Sequence, residues 1–570
     1  MKYKQHKWLP LLAGLWLLVS GTALASLPEL VTKNGRHALM VDGEPYLILG
    51  AQANNSSNYP SALKDVWPVL KKIHANTLEI NVAWEQVEPE EGRFDFSYVD
   101  TLIKQAQARN IKLVLLWFAT WKNNAPHYAP DWVKLNDERF PRVYKKDGST
   151  LNSLSPLHRS TLDADKKAFV AFMKHLKKVD KKNTVILVQV QNEAGTYGAA
   201  RDYSAHANAI FEQPVPLTLR EKLGLTDNKL PDANWPQVFG DDADEFFHAW
   251  AIARYCNEIA AAGKAVYPLP ININVALRNP FNPGKPGSYS SGGATDNVLP
   301  IWKAAAPDID MISPDIYFRD YRTVTKVLEL YSGNNNPLFV AEIGNDQPFA
   351  RYFFETLGHQ GIGFAPFGMD TTGYTNYPLG AKHYDDETFA HFGEIYELMA
   401  PWSKVWAKLS YEGETWGVAE PLDTTKATGA IWNAENSKLA DEGARKKRVA
   451  DRAKQLTQTL DLGLWNAEVS YGRPMFWVAP PEGNTPASGG ALIAKLSENE
   501  YLVTALRARV SFSPSSELEG KRHMIVRVEE GHFNPEGEWV FERVWNGDQT
   551  DWGLNFDDKH HLLKIRMATY

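Results

Sequence analysis

Cysteine is almost absent from this 570-residue sequence, which contains only Cys256. No internal disulfide can therefore form, and the fold has to be held together by packing. Cys256 lies in an Ala-rich stretch, which favours a small apolar residue of the core over a reactive thiol.

Long apolar runs are scarce as well. The run from Leu9 to Val19 falls short of the ~20 residues needed to span a bilayer. Three lysines precede it and Ala23-Leu24-Ala25 follows it, so we predict a secretory signal peptide over residues 1–25 and an exported protein, periplasmic or secreted. A membrane anchor is the alternative, although no Cys stands near the cleavage point to carry a bacterial lipid.

Motifs for metal and nucleotide binding are missing too. No His-x-x-x-His or Cys-x-x-Cys spacing occurs, and no Gly-rich phosphate loop follows a predicted strand. The net charge is −7, and it becomes more negative when the three lysines of the leader are removed. This charge argues against nucleic acid and anionic membrane as partners. The sequence predicts no metal and no cofactor, and it leaves the oligomeric state open.

The chain does contain a regular alternation of short apolar runs and amphipathic stretches from Pro45 onward, typical of a parallel sheet wrapped in helices. A chain of this length exceeds what one core serves, so more than one domain is expected. Eight runs are predicted as strands: Tyr46–Gly50, Leu78–Val82, Ile111–Phe118, Thr184–Val190, Leu269–Val275, Ile309–Ile316, Pro337–Ala341 and Gly361–Phe367. They predict an α/β fold, a (β/α)₈ TIM barrel, over residues 26–400.

Helices and one large insertion complete the predicted barrel. Ser97 is predicted to cap one helix and Asp163 to begin the next. The insertion Ala194–Pro268, with a helix at Asp244–Ala262, is expected to form an elaborated loop over the active face rather than an independent domain.

Residues 401–570 change to alternating β runs such as Tyr501–Val510, His523–Val528 and Trp539–Val544. They predict a C-terminal all-β, sandwich-like domain, with the charged stretch Asp441–Leu460 as a helical surface insertion. No Pro/Gly/Ser-rich linker precedes the domain, so we expect a buttress packed on the barrel rather than a mobile carbohydrate-binding module. Its tryptophans are then expected in the core or interface: Trp465, Trp477, Trp539, Trp545 and Trp552.

Two glutamates stand at the ends of predicted strands. The fourth strand runs into Gln191-Asn192-Glu193 and the seventh into Glu342. The carboxyl ends of barrel strands carry the active site, although either glutamate alone is equally explained as a buried salt-bridge partner. Together, on strands that face each other across the barrel mouth, they fit the two carboxylates that glycoside hydrolysis needs.

Four parts of the sequence resemble a known family. Residues 81–96 read NVAWEQVEPEEGRFDF and resemble the second-strand signature of family 35 and 42 glycoside hydrolases, the β-galactosidases of clan A. Val190-Gln191-Asn192-Glu193 is similar to the Asn-Glu acid/base motif of that clan, and Ala341-Glu342 to its nucleophile. Residues 401–570 resemble the β domain that follows a bacterial branch of family 35, to which we therefore assign the chain.

The resemblance implies roles for individual residues. Glu193 is implied as the acid/base and Glu342 as the nucleophile of a retaining mechanism. Asn192 resembles the clan asparagine that contacts the sugar 2-hydroxyl. Tyr317 resembles the tyrosine that hydrogen-bonds the nucleophile, with an ordinary core or rim tyrosine as the alternative.

Four further residues are candidates for substrate contacts because strand order places them near the same mouth: Trp84, Glu88, Trp117 and Asn123. Glu88, before Pro89, is equally explained as the cap of a turn. The chain also departs from family 35: residues 117–124 read WFATWKNN where many members carry Ala-Glu-Trp, and residues 364–368 read FAPFG instead of Gly-Gly-Thr-Asn. These departures concern the sugar contacts and leave the reaction class unchanged.

The predicted function is an exo-acting retaining β-D-galactosidase. Its predicted substrates are plant cell-wall oligosaccharides with terminal β-galactose, namely xyloglucan or galactan fragments. Two alternatives stay open. One is a retaining β-glycosidase of another sugar specificity, and the other is a non-catalytic glycan-binding protein on a hydrolase barrel.

Overall fold

A computed structural model describes residues 26–225, 232–333, 336–421, 441–444, 447, 457–471 and 488–570. The predicted signal peptide, Trp477 and most of the stretch Asp441–Leu460 lie outside the described residues. Within the described part, no helix is both long enough and apolar enough to cross a membrane.

An antiparallel sheet of three strands comes first: Glu29–Lys33, Arg36–Val41 and Glu44–Tyr46. Its two turns are Asn34-Gly35 and Asp42-Gly43, and all four residues have positive φ. Two-residue turns of this kind match the twist of paired strands. Leu39 and Val41 belong to one buried cluster with residues at the amino ends of the barrel strands. The sheet therefore covers this end of the barrel and leaves the carboxyl end for a site.

Eight parallel strands form a closed barrel, as predicted. In chain order they are Ile48–Gln52, Thr77–Ala83, Lys112–Lys122, Val185–Asn192, Ile271–Ala276, Met311–Ile316, Phe339–Ile343 and Gly363–Pro366, and we number them one to eight. The observed strands end a few residues later than predicted where they carry the candidate catalytic residues. Asn192 ends the fourth strand and Glu342 lies inside the seventh, whereas both were predicted to follow their strands.

Helices of seven to 24 residues pack around the barrel: Leu63–Lys72, Ser97–Gln107, Arg159–Val179, Ala243–Val266, Leu299–Ala305, Tyr321–Tyr331, Tyr352–Gly358 and Asp386–Met399. The first residues predicted for two of these helices are wrong. Ser97 is the first residue of its helix, and the Asp95 side chain accepts from its backbone N–H at 2.8 Å. The helix predicted from Asp163 begins one turn earlier, at Arg159.

Shorter helices occupy the connections: Trp84–Val87, Asp131–Lys134, Ala205–Phe211, Leu217–Lys222, Trp235–Phe239 and Gln347–Ala350. A two-stranded hairpin, Arg142–Tyr144 with Thr150–Leu154, follows the third barrel strand. In the insertion after the fourth strand, Phe211, Trp235 and Phe247 pack into a small cluster of their own. The long helix of this region, Ala243–Val266, carries the buried Cys256, as expected of a core residue.

The described C-terminal residues form two antiparallel sheets. One has the strand order Thr415–Ala419, Gly490–Ser497, Glu500–Leu506, Leu562–Thr569, His523–Phe533 and Trp539–Trp545, and the other Thr457–Asp461, Trp465–Ser470, Ala508–Pro514 and Leu554–Phe556. Both contribute to one apolar cluster, as in a sandwich. The strand Thr457–Asp461 corrects the helix predicted for the end of Asp441–Leu460.

The β domain packs directly on the barrel. Helix Ser403–Glu412 leads into strand Thr415–Ala419, and Leu492 and Leu502 of the β domain belong to the main apolar cluster of the barrel. Polar contacts cross as well: the Arg351 guanidinium donates to the Glu420 carbonyl at 2.9 Å, and the Ala419 N–H donates to Glu355 at 2.9 Å. The packed interface expected between the two domains is therefore present, and the buttress role stays a prediction.

The tryptophans of this domain divide between core and surface. Trp465 and Trp545 are buried in the domain core, and Trp539 packs against the barrel cluster. Trp552 is 66% exposed, which corrects the expectation that it lies in the core or interface.

The barrel and the β domain pack so closely that adding one methyl group at their contact should destabilise the protein. A Cβ at Gly490 would lie 2.2 Å from the Phe354 ring across the contact, whereas a Cβ at Gly393, in helix Asp386–Met399, would meet nothing closer than 3.5 Å. We expect Gly490→Ala to lower the free energy of unfolding in urea by about 1–3 kcal/mol through overpacking. The control Gly393→Ala should leave it unchanged or raise it by up to ~1 kcal/mol. Equal values for the two variants would contradict this account of the contact.

Candidate active site

The site is built from residues at the carboxyl ends of six barrel strands, the first and the third to seventh. The backbone at this site is strained. Positive φ is costly for residues other than glycine, and four residues here adopt it: Gln191, Glu193, Asn123 and Asn124. Left-handed backbone at Glu193 turns the chain sharply as it leaves the fourth strand. The Asn124 side chain donates to the Glu193 carbonyl at 2.8 Å, which holds the turn in place.

Three carboxyl groups meet in this space. Glu193, Asp315 and Glu342 each place an oxygen within 4.8 Å of the other two. They come from the fourth, sixth and seventh strand ends, and Asp315 and Glu342 are neighbours in the register of their paired strands. Parallel register therefore brings together residues that are far apart in the chain.

Neutral side chains donate to two of the three carboxyls, those of Glu342 and Asp315. Tyr317 donates its hydroxyl to one oxygen of Glu342 in a short hydrogen bond, and the Gln52 amide donates to the other at 3.2 Å. Asn274 connects the remaining two residues, since its amide nitrogen donates to Asp315 at 2.7 Å and its oxygen accepts from the Glu193 N–H at 2.8 Å. The arrangement leaves the Glu193 carboxyl facing the cavity.

One cation accompanies the three carboxyls. Lys122 is only 5% exposed, and its ammonium group donates to the Asn123 side chain. The Asn192 amide is best oriented with its oxygen accepting from Lys122 at 3.3 Å and from the Glu193 N–H at 3.2 Å. Lys122 thus supplies positive charge beside the acidic residues.

Burial and charge together set the proton affinities in the cluster. Burial raises the pKa of Glu193 to about 7; Lys122 opposes the rise, the Glu342 charge adds to it, and a hydrogen bond with Asp315 also opposes it. Burial, followed by the charges of Glu342 and Glu193, raises the pKa of Asp315 well above its ordinary value. Burial and the neighbouring negative charges therefore favour the protonated forms of Glu193 and Asp315 near neutral pH, and a protonated carboxyl is what a general acid needs.

The carboxyls line a cavity of ≈ 460 Å³, a volume within the ~300–1,000 Å³ usual for small-molecule sites. Its wall also includes Asn55, Tyr197, Phe318 and Tyr374. Tyr197 and Tyr374 are about half exposed and stand at the rim, where aromatic faces suit the apolar face of a sugar ring.

Sequence reasoning predicted part of this site. Glu193, Glu342, Tyr317 and Asn123 line the cavity, and the Tyr317 contact with Glu342 matches the role implied by the resemblance. Asn192 is fully buried behind Glu193, so it orients other residues and does not face the cavity.

Three residues predicted to contact the substrate are not among those that line this cavity, and their side chains point into the protein. Trp84 is fully buried and donates its indole N–H to Glu88 at 2.9 Å. Glu88 accepts the Gly92 N–H at 2.7 Å and so caps a turn, the alternative considered above. Trp117 is fully buried against Phe172 of the helix outside the barrel. Successive side chains near a strand end point alternately into the barrel and toward the surrounding helices. The order of the strands does not show which of the two directions a given side chain takes.

The sequence analysis missed Asp315, Lys122, Gln52 and Asn274. An aspartate within the apolar run Ile309–Ile316 is the signal that would have singled out Asp315, since a buried carboxyl needs a partner or a task. The other three carried no such signal. Their importance comes only from what the neighbouring strands place beside them.

The same three carboxyls are the one group of His, Cys, Asp and Glu side chains, within the part of the chain that is described, close enough together to hold a metal ion. The Lys122 ammonium already brings positive charge to this cluster. We assign no metal ligand here.

Two family models match the chain. One, described as beta-galactosidase of family 42, matches residues 59–265, and one described as a domain of unknown function, DUF5597, matches residues 392–557. The resemblance to β-galactosidases is thereby confirmed over residues 59–265, for family 42. The assignment to family 35 is not supported. These matches support a glycoside hydrolase.

Among curated proteins, a beta-galactosidase of Xanthomonas manihotis is 28% identical over 204 residues, 34% of this chain and 32% of the relative. The chain thus spans about a third of that relative's length. Among solved structures, the beta-galactosidase of Bacillus circulans sp. alkalophilus is 14% identical with a TM-score of 0.47, covering 63% of this chain and 57% of the other. The beta-galactosidase of the psychrophilic Marinomonas ef1 is 12% identical with a TM-score of 0.47, covering 64% and 61%.

The raised pKa of Glu193 makes the stability of the protein depend on pH, and this dependence can be measured without a substrate. A carboxyl with a pKa of about 7 when folded, against its ordinary 4.5, binds its proton more tightly in the folded state. Its stabilising effect is complete below pH ~4.5 and is lost as pH rises to about 7. We expect Glu193→Gln to remove this loss, so that its stability relative to wild type increases by roughly 2–3 kcal/mol between pH 4.5 and 7.5, allowing for solvent screening.

The measurement is urea unfolding across this pH range, with the exposed Glu138→Gln as the matched control. The control should follow the wild-type pH dependence. A Glu193→Gln variant that also follows it would show that the Glu193 pKa is not raised.

Proposed function

We propose that the protein is a retaining β-D-galactosidase that removes terminal β-galactose from oligosaccharides. The observation that carries the proposal is the pair Glu193 and Glu342, on the fourth and seventh barrel strands, with oxygens within 4.8 Å. Retaining glycosidases hold their carboxyl groups ~5–5.5 Å apart, whereas inverting ones leave ~6.5–9.5 Å for a water molecule. The spacing supports direct attack on the sugar.

In the first step, a Glu342 oxygen attacks the anomeric carbon while the bond from that carbon to the leaving oxygen breaks. Glu193 gives its proton to the leaving oxygen. The product is a glycosyl ester on Glu342 and an ionised Glu193. Tyr317 and Gln52 hold the two oxygens of Glu342, so one lone pair is kept aimed at the sugar.

In the second step, Glu193 takes a proton from a water molecule, whose oxygen attacks the anomeric carbon. The ester bond to Glu342 breaks, and the sugar leaves with its original anomeric configuration. The same residue thus serves as acid and then as base. A pKa near 7 suits both roles at neutral pH.

Galactose as the sugar is supported by the match of the beta-galactosidase family model to residues 59–265. We propose removal of single terminal residues on the same match. The natural substrates that we propose are galactosylated xyloglucan or galactan fragments of plant cell walls. We also propose that the protein is exported, periplasmic or secreted, on the composition of residues 1–25.

The first test is the sugar and the stereochemistry. Full-length protein should hydrolyse 4-nitrophenyl β-galactoside faster than the corresponding β-glucoside, β-xyloside and α-galactoside. NMR during the first minutes should show β-galactose as the initial product. Preference for another β-glycoside would correct the sugar, initial α-product would exclude the retaining mechanism, and no turnover of any glycoside would exclude the enzyme.

The second test assigns the roles of the two glutamates. Glu342→Ala should have no measurable turnover, because the nucleophile is gone. Glu193→Ala should lose roughly 10²–10⁴-fold in turnover, and with a dinitrophenyl β-galactoside its first step should stay fast while the second stalls.

Azide should restore turnover of Glu193→Ala and yield β-galactosyl azide, because this small anion fits the space of the lost carboxyl and attacks without a base. Azide should not rescue Glu342→Ala in this way, and Glu138→Gln should behave as wild type. A β-azide product from the Glu342 variant instead would reverse the two assignments.

A further inference from the structure

Asp315 has no role in the reaction described so far, yet it stands inside the catalytic cluster. It is 3% exposed and lies within 4.8 Å of both Glu193 and Glu342. One of its oxygens accepts from the Asn274 amide at 2.7 Å. Among the described residues, the other oxygen has no hydrogen-bond donor.

A buried carboxylate oxygen without a donor is costly, whereas a protonated oxygen becomes a donor itself. The neighbour available to accept such a hydrogen bond is the Glu193 carboxyl. Once Glu193 has released its own proton, the two carboxyl groups avoid repulsion if Asp315 keeps the other proton. The geometry thus favours a carboxylic acid at Asp315 beside Glu193.

Charge balance leads to the same assignment. The charged groups that face Asp315 from neighbouring strands are Glu342, Glu193, Lys122 and Glu79. Glu79 is fully buried and neither of its oxygens has a donor within the described structure, and burial raises its pKa well above the ordinary value. It therefore remains neutral.

With Asp315 protonated, each stage of the proposed reaction has one anion opposite Lys122. Before the first step the anion is Glu342. In the glycosyl ester it is Glu193. An ionised Asp315 would add an unbalanced negative charge to a buried cluster at both stages, which costs several kcal/mol. The phenols of Tyr317 and Tyr331, whose pKa values burial raises well above normal, stay neutral throughout.

We propose that Asp315 is a positioning residue that stays protonated and donates a hydrogen bond to the Glu193 carboxylate. The inference rests on the proposed function, in which Glu193 becomes an anion when it releases its proton. The proton of Asp315 remains on Asp315, and the hydrogen bond strengthens as negative charge develops on Glu193. The acid/base unit is then a pair of carboxyl groups rather than one glutamate.

Asparagine mimics the protonated form of this aspartate, since its oxygen can accept from Asn274 and its NH₂ can donate to Glu193. We expect Asp315→Asn to keep kcat/KM within about tenfold of wild type. The alkaline limb of its pH profile should move by less than about half a unit. If Asp315 were ionised instead, removing its charge would lower the pKa of Glu193 and shift the limb downward by about one unit or more.

Asp315→Ala removes the donor. We expect its kcat/KM to fall roughly 10- to 100-fold on a galactoside with a poor leaving group. The loss should be much smaller on a dinitrophenyl galactoside, whose leaving group needs little protonation. A structural defect would lower both rates equally, so equal losses would overturn the proposal, as would an Asp315→Asn variant as impaired as Asp315→Ala.

Infrared spectroscopy tests the protonation state without any substrate. The spectrum of wild type minus Asp315→Asn at pH 7 should contain the carbonyl band of a protonated carboxyl. A carboxylate band in its place would overturn the proposal even if the protein acts on another sugar, or on none. Should Asp315→Ala fail to fold, the pH profile and the infrared difference of Asp315→Asn decide alone.

Discussion

Repulsion between like charges in a confined space is the constraint on which this site depends. Three carboxyl groups within 4.8 Å cannot all be ionised beside a single lysine, so the cluster has to retain protons near neutral pH. Retained protons are what a general acid requires, and one remaining anion is what a nucleophile requires. The electrostatic cost of assembling Glu193, Asp315 and Glu342 is therefore the source of the chemistry proposed for them.

The rest of the molecule keeps this cluster assembled. Neutral amides from the barrel interior, Gln52 and Asn274, hold the carboxyls without adding charge. The N-terminal sheet covers the opposite end of the barrel, and the β domain packs against its outer helices. Rigid support matters because a hydrogen-bonded cluster keeps its proton affinities only while its distances are kept.

Much of this could be predicted from the sequence, for identifiable reasons. Apolar runs separated by amphipathic helices indicated the eight-stranded barrel, and a glutamate at the end of such a run indicated Glu193 and Glu342. Trp84, Glu88 and Trp117 were misplaced because position near a strand end does not decide between the barrel interior and the helical shell. At the end of the third strand the register with the fourth shifts between Trp117 and Lys122, so alternation counted along the sequence does not give the direction of the Lys122 side chain.

The sequence by itself determined which elements form and which strand ends carry glutamates, since both follow from local patterns of apolar and polar residues. Only the tertiary structure decided that Asp315 and Lys122 join those glutamates, because this depends on the register of parallel strands that are distant in the chain. It also decided the proton affinities. Burial and the distances between charges set these quantities, and both exist only once the barrel has closed.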